Sequence, residues 1–149
     1  MCDAGQTAMA GSFLSTAKCI LVVEDESVIG LAVADLLSDE GFRVVGPIAT
    51  RREALSVLDS DRPDAVLLDL TLKDGSSAEF VRELKTRCVP FVVFSGHRQE
   101  GLAGLEGVPW VEKPGRGNEI VAALSAAIDR TRGAAAADAL PRPQCLSPC

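Results

Sequence analysis

The stretch AVLLDL at residues 65–70 sets the fold: an unbroken apolar run that ends in a single carboxylate, Asp69. A short run with no polar alternation reads as a strand covered on both faces, the signature of a parallel sheet lying between helices. Working outward, CILVV at 19–23, FRVV at 42–45, FVVF at 91–94 and VPWV at 108–111 read as four further strands. Apolar residues at helical spacing lie between them. Ile29, Ala32, Val33, Leu36 and Leu37 form one stripe that stops at Gly41. Ala54, Leu55 and Leu58 form a second, Phe80, Val81 and Leu84 a third, and Ile120, Val121, Leu124 and Ile128 a last one. The stretch from His97 to Gly107 is the weakest helix, because Gly101, Gly104 and the flanking Gly96 and Gly107 all cost helix propensity. Strand–helix alternation with short connections implies an α/β domain, a (βα)5 doubly wound five-stranded parallel sheet with right-handed crossovers.

The rest of the chain bounds this unit. Residues 1–17 are small and polar without a sustained period, and GAAAADALPRPQCLSPC from Gly133 onward is Ala-rich and then Pro-rich. Both are expected to be disordered tails, leaving 18–132 as the one folded domain, because neither buries enough apolar surface to offset ordering entropy. At 149 residues the chain is long enough for a real core. Tyrosine is absent, so the 47 % hydrophobic content makes that core chiefly aliphatic. A net charge of −6 argues against a nucleic-acid surface, which needs clustered Lys and Arg. No apolar run approaches a membrane span, and Met1 to Ala17 lack the basic start and apolar stretch of a secretory signal, so a cytoplasmic protein without membrane contact is expected. The five cysteines, Cys2, Cys19, Cys88, Cys145 and Cys149, are odd in number, which suits free thiols in a reducing compartment better than a disulfide framework.

Ligands of a doubly wound sheet bind at the carboxyl ends of its strands, and four of those ends carry polar groups. Glu24-Asp25 follow the first strand, Asp69 lies near the end of the third, Ser95-Gly96 end the fourth, and Glu112-Lys113-Pro114 end the fifth. Singly, each has an ordinary reading: a carboxylate after a strand caps a helix, a Ser-Gly makes a turn, a Lys-Pro a surface bend. Together they point to chemistry. Three carboxylates brought into one cleft repel and require a counter-charge, which a hard divalent cation such as Mg2+ supplies through carboxylates, waters and a phosphate oxygen. Lys113 and the Ser95 hydroxyl add groups that favour an anion. The set suits a phosphoryl group carried on a carboxylate. Asp69, central in the sheet, is the natural nucleophile. Asp25 would ligate the metal directly, Glu24 directly or through water, and the backbone carbonyl of Thr71 would be a further ligand.

These segments carry a resemblance. VVEDE at 22–26, LLDL at 67–70, FSG at 94–96 and EKP at 112–114 resemble, in order and spacing, the signature of response-regulator receiver domains of two-component signalling, over about residues 18–131. The resemblance implies a flavodoxin-like receiver fold, with Asp69 as phosphoacceptor, Glu24 and Asp25 as the acidic pair, Ser95 as the switch hydroxyl and Lys113 as the phosphate-contacting lysine. It also implies a cis Lys113–Pro114 bond. Trp110 falls where many members carry a switching Tyr or Phe, and Thr71 and His97 where side chains flank the hydrolytic water. The segment VPFVVFSGH at 89–97 is further similar to a subgroup of alphaproteobacterial, often single-domain, receivers with a Phe-x-Thr-Gly-Tyr-like pattern, Ser95 and His97 standing in place of Thr and Tyr.

The function implied is that of a stand-alone response regulator in a phosphorelay. It would not be an enzyme beyond catalysing its own phosphorylation and dephosphorylation. It would take a phosphoryl group from a sensor histidine kinase or a histidine phosphotransfer protein, and then either switch a surface for a downstream protein target or pass the group on. It would act as a monomer or a phosphorylation-dependent dimer. The loop LTLKDGSS after Asp69 departs from the family in lacking its proline and longer spacing, and Gly115 stands where a bulkier residue is common. The main alternative is a receiver-fold module that binds protein without phosphorylation. An aspartyl-phosphate hydrolase would need a second carboxylate at position 71, which is Thr71, and a nucleotide-binding loop is absent where EDESV stands at 24–28.

Overall fold

Successive side chains of a strand point to opposite faces, so a strand that is apolar throughout must find a hydrophobic layer on each side. The computed structural model, which describes residues 17–96, 105, 107–113 and 115–138, supplies both layers. Strand β1 (Cys19–Val23) and strand β3 (Ala65–Leu68) are buried along their whole length. Ile20, Val22, Ala65, Leu67, Val92 and Phe94 join one core with α1 (Ser27–Asp39) and α4 (Gly117–Asp138), through Val33, Leu37, Leu124 and Ile128. The alternate residues Leu21, Val23, Val66, Leu68, Phe91 and Val93 join the other with α2 (Arg51–Asp61) and α3 (Ala78–Thr86), through Ala54, Leu58, Phe80 and Leu84.

The five main strands, with β2 (Arg43–Ile48), β6 (Phe91–Ser95) and β7 (Trp110–Glu112), pair in parallel in the order β2-β1-β3-β6-β7. The chain moves one way from β1 to β2 and the other way from β3 onward, so the topological switch lies between β1 and β3. Four helices flank the sheet among the described residues. Most of the weak helix expected over 97–107 lies outside them.

The termini of the elements follow local chemistry. Gly41, at φ +95°, ends α1, and the Phe42 N–H donates back to the Leu37 carbonyl at 3.0 Å. Thr50 caps α2 by accepting from the Glu53 N–H at 3.2 Å. Three boundaries differ from the sequence reading. Strand β2 runs on through Gly46 and Pro47, whose peptide bond is cis, because β2 is an edge strand where a proline costs no shared ladder bond. The expected cis Lys113–Pro114 bond lies outside the described residues. Strand β3 stops at Leu68, and a small antiparallel hairpin, β4 (Thr71–Leu72) with β5 (Gly75–Ser76), follows Asp69. Helix α4 runs past residue 132 to Asp138, as a run of alanines, the strongest helix formers, allows. Of the described cysteines, Cys19 is a free buried thiol. Cys88 is disulfide-bonded, which corrects the expectation of free thiols there. It sits half-buried in a left-handed turn after α3, at φ +58°.

Gly30 tests the packing of α1. Helix propensity alone makes Gly→Ala in a helix favourable by about 1 kcal/mol. A Cβ at Gly30, however, would stand 2.6 Å from the Pro47 Cβ, a ring atom with little room to yield. Gly30→Ala is therefore expected to destabilise the domain, by about 1–3 kcal/mol, as overpacking does. Urea unfolding would show this as a lower midpoint at unchanged slope.

Candidate functional site

The register of β1 against β3 builds the site. Val23 pairs with Leu68, so the next residues of the two strands, Glu24 and Asp69, emerge side by side at the switch point. The Asp69 N–H donates to the Val23 carbonyl at 2.9 Å and the Glu24 N–H to the Ile48 carbonyl at 2.8 Å, which fixes both backbones. Both side chains are buried, and Asp25 is half-buried. Glu24, Asp25 and Asp69 each offer a carboxylate oxygen within 4.8 Å of the others.

Lys113 reaches this cluster from the end of β7. Its backbone N–H donates to the Ser95 carbonyl at 3.0 Å, which ties the β7 end to the β6 end. Its Nζ lies 2.7 Å from Glu24 Oε1, 3.3 Å from Asp69 Oδ2 and 3.3 Å from Glu26 Oε1. The stem passes over Phe94, with Nζ 5.6 Å from the ring centroid. Burial pushes the Glu24 carboxyl up to about 7, with Lys113 opposing and Asp69 adding to the rise. The Asp25 carboxyl is also raised, by burial first and then by the neighbouring Asp69 charge. Burial works to lower the Lys113 ammonium, yet Glu24 and Asp69 outweigh it and the net displacement is upward. An acid whose folded pKa is raised binds more protons folded than unfolded. Glu24 therefore costs the metal-free fold stability as pH rises from 4.5 towards 7.

Of the residues singled out in the sequence, Glu24, Asp25, Asp69 and Lys113 come together. Ser95 is buried at the end of β6, in register with Glu112. Thr71 is exposed in the hairpin, its N–H donating to Asp69 Oδ1 at 3.2 Å. Trp110 is half-buried on β7, packed against the core that α2 and α3 share. His97 lies outside the described residues. Three contributors escaped the sequence reading. Glu26, at the N-cap position of α1, makes no side-chain cap and instead turns its carboxylate to Lys113. Ser77 is fully buried, with its hydroxyl on the Leu70 carbonyl at 3.0 Å. Asp74 accepts from the Arg51 and Arg52 N–H groups at the start of α2, at 2.8 and 3.1 Å. The Asp-Gly pair at 74–75 was the available signal for that tight hairpin.

A family model, the response regulator receiver domain, matches residues 20–125. The chain belongs to the response regulator receiver family. Curated relatives include the phosphate regulon transcriptional regulatory protein PhoB of Escherichia coli, 34% identical over 76% of this chain and 53% of that protein. The phyllosphere-induced regulator PhyR of Methylorubrum extorquens is 33% identical over 73% of this chain and 43% of its own length. This receiver chain thus spans about half the length of those relatives. Among solved structures, PhyR from Brucella abortus superposes with a TM-score of 0.71 at 28% identity, covering 87% of this chain and 56% of that one. The PhyR receiver domain of Erythrobacter litoralis gives 0.67 at 28% identity, over 76% and 91%. A CheY-like receiver of Methanospirillum hungatei, 21% identical, shares the fold at 0.72, over 79% and 98%.

Receivers of this family bind Mg2+ at an acidic pocket, and the donors here fit it: buried, hard carboxylate oxygens converging with more negative charge than Lys113 alone balances. Glu24, Asp25 and Asp69 are the side chains that would hold it. Mg2+ should raise the melting temperature, linkage giving about 2.7 kcal/mol at about 100 times its Kd. Glu24→Gln, which relieves the repulsion, should raise the metal-free melting temperature and shrink the gain from Mg2+. Calorimetric melts with Mg2+ and with chelator would decide both.

Proposed function

We propose that this receiver is phosphorylated on Asp69 with Mg2+ as cofactor. The observation that carries the reading is the placement of Asp69 Oδ2 3.3 Å from the Lys113 ammonium, inside a cluster of carboxylates. A carboxylate oxygen of Asp69 forms the bond to phosphorus as the bond from phosphorus to the donor atom breaks, the electron pair leaving with the donor. For a phosphohistidine of a sensor kinase or phosphotransfer protein, that donor is an imidazole nitrogen. A divalent cation supplies charge neutralisation and alignment of the phosphoryl oxygens when bound. Lys113 supplies the second positive charge. In the resting protein its ammonium is shared among Glu24, Glu26 and Asp69, so an incoming phosphoryl group has a cation already at hand.

The added 1.5 to 2 negative charges, roughly, alter the balance at the ends of β6 and β7, where the Ser95 hydroxyl stands. Ser95 is the group to gain a bond to the phosphoryl oxygens, and Trp110, one strand away, the side chain to respond. Thr71, exposed beside the acceptor, would tune the phosphoryl lifetime, with His97 as its counterpart from the sequence. The output is a changed surface for a protein partner or onward phosphotransfer.

Incubation with Mg2+ and acetyl phosphate, followed by intact-mass measurement, tests the reading. One phosphoryl adduct is expected on the wild type, and none on Asp69→Ala or with chelator. No adduct from acetyl phosphate or from any histidine kinase would leave a binding module that works without phosphorylation.

A further inference from the structure

The hairpin that follows Asp69 is too small to hold its own shape. Strands of two residues each, Thr71–Leu72 and Gly75–Ser76, share a single short ladder, and isolated hairpins are marginal even when longer. Its geometry must come from its anchors. At the base, the Ser77 N–H and hydroxyl both donate to the Leu70 carbonyl, at 3.3 and 3.0 Å. At the tip, the Lys73 N–H donates to the Ala49 carbonyl at 3.2 Å, and Asp74 spends both carboxylate oxygens on α2, Oδ1 on the Arg51 N–H and Oδ2 on the Arg52 N–H. Charge-assisted bonds to the positive end of a helix are the strongest of these ties. They hold the Asp74 carboxyl below its ordinary range. Thr50 takes the next free N–H, that of Glu53, so the first turn of α2 is capped from two sides. Only one of the two caps belongs to the acceptor loop.

We propose that Asp74 is a positioning residue for the phosphoacceptor pocket, clamping the loop 70–77 to the N-terminus of α2 so that the Thr71 backbone is pre-set for the cation. The proposal rests on the reading of Asp69 and Thr71 as Mg2+-binding groups. It gives α2 a task in the site without contributing a side chain to it. With Asp74 freed, the tip keeps only the tie of the Lys73 N–H to the Ala49 carbonyl, and Thr71 lies between that loosened tip and the base at Leu70 and Ser77.

The two caps make the test. Mg2+ affinity of the full chain is measured by isothermal titration calorimetry without phosphodonor, for wild type, Asp74→Ala, Asp74→Asn and Thr50→Ala. Asp74→Ala is expected to weaken Mg2+ binding about ten-fold, the low end of what loss of a supporting partner costs a metal site. Asp74→Asn, which keeps one acceptor oxygen, should fall between it and wild type. Thr50→Ala removes the other cap of that turn while leaving the Asp74 bonds themselves in place, and should change Mg2+ affinity less than Asp74→Ala does. Amide hydrogen exchange at Thr71–Ser77 should quicken in Asp74→Ala alone. Folded Asp74 variants that bind Mg2+ as wild type does, or a Thr50→Ala shift equal to that of Asp74→Ala, would overturn the proposal. A wild type that binds no Mg2+ would overturn the underlying metal reading and this proposal with it.

Discussion

Buried carboxylates that converge on one point and need a counter-charge are the constraint around which this domain is arranged. Glu24 and Asp69 leave β1 and β3 at the one place where the strand order reverses, and their burial there weakens screening by solvent. Lys113 answers that charge at 2.7 and 3.3 Å. To bring it there, the fold must set β7 two strands away from β3 and tie its end to Ser95. Sheet order, strand register and the lysine form one arrangement. A slip of one residue between β1 and β3 would turn Glu24 and Asp69 to opposite faces.

Around that centre the local rules of secondary structure bend. An N-cap position is best filled by a short side chain that bonds the helix, yet Glu26 stands there and turns to Lys113 instead. Helix α2 has its own Thr50 cap, yet takes a second from Asp74, a residue of another element. A polar residue as deeply buried as Ser77 serves to close a loop. Each of these departures lies within the segments that follow β1 or β3.

The architecture was legible in the residues because burial on both faces leaves a mark that survives without context. Unbroken runs such as AVLLDL and FVVF could belong only to inner strands, and both lie where expected, β3 ending slightly sooner. The grouping of Glu24, Asp25, Asp69 and Lys113 was legible too, since strand order in a doubly wound sheet dictates which ends converge. The edge strand was harder to bound: β2 is half-exposed, so its apolar pattern is thin, and the strand read from FRVV at 42–45 ended short of Gly46 and Pro47. The hairpin was missed because LTLKDGSS lacks a long apolar period, and its pairing is held by distant anchors at Ala49 and Arg51.

By itself, the sequence determined the five main strands, the four helices described beside them, and which side chains are too polar to be there for packing. Those properties depend on neighbours a few residues away, so they are written locally. Tertiary structure alone decided that Glu26 would reach Lys113, that Asp74 would cap α2, and that Lys113 would rest among three carboxylates at once. Each of those contacts joins residues far apart in the chain or on different elements. Their ångström-scale spacing arises from the summed packing of both cores against the sheet rather than from any short stretch of residues.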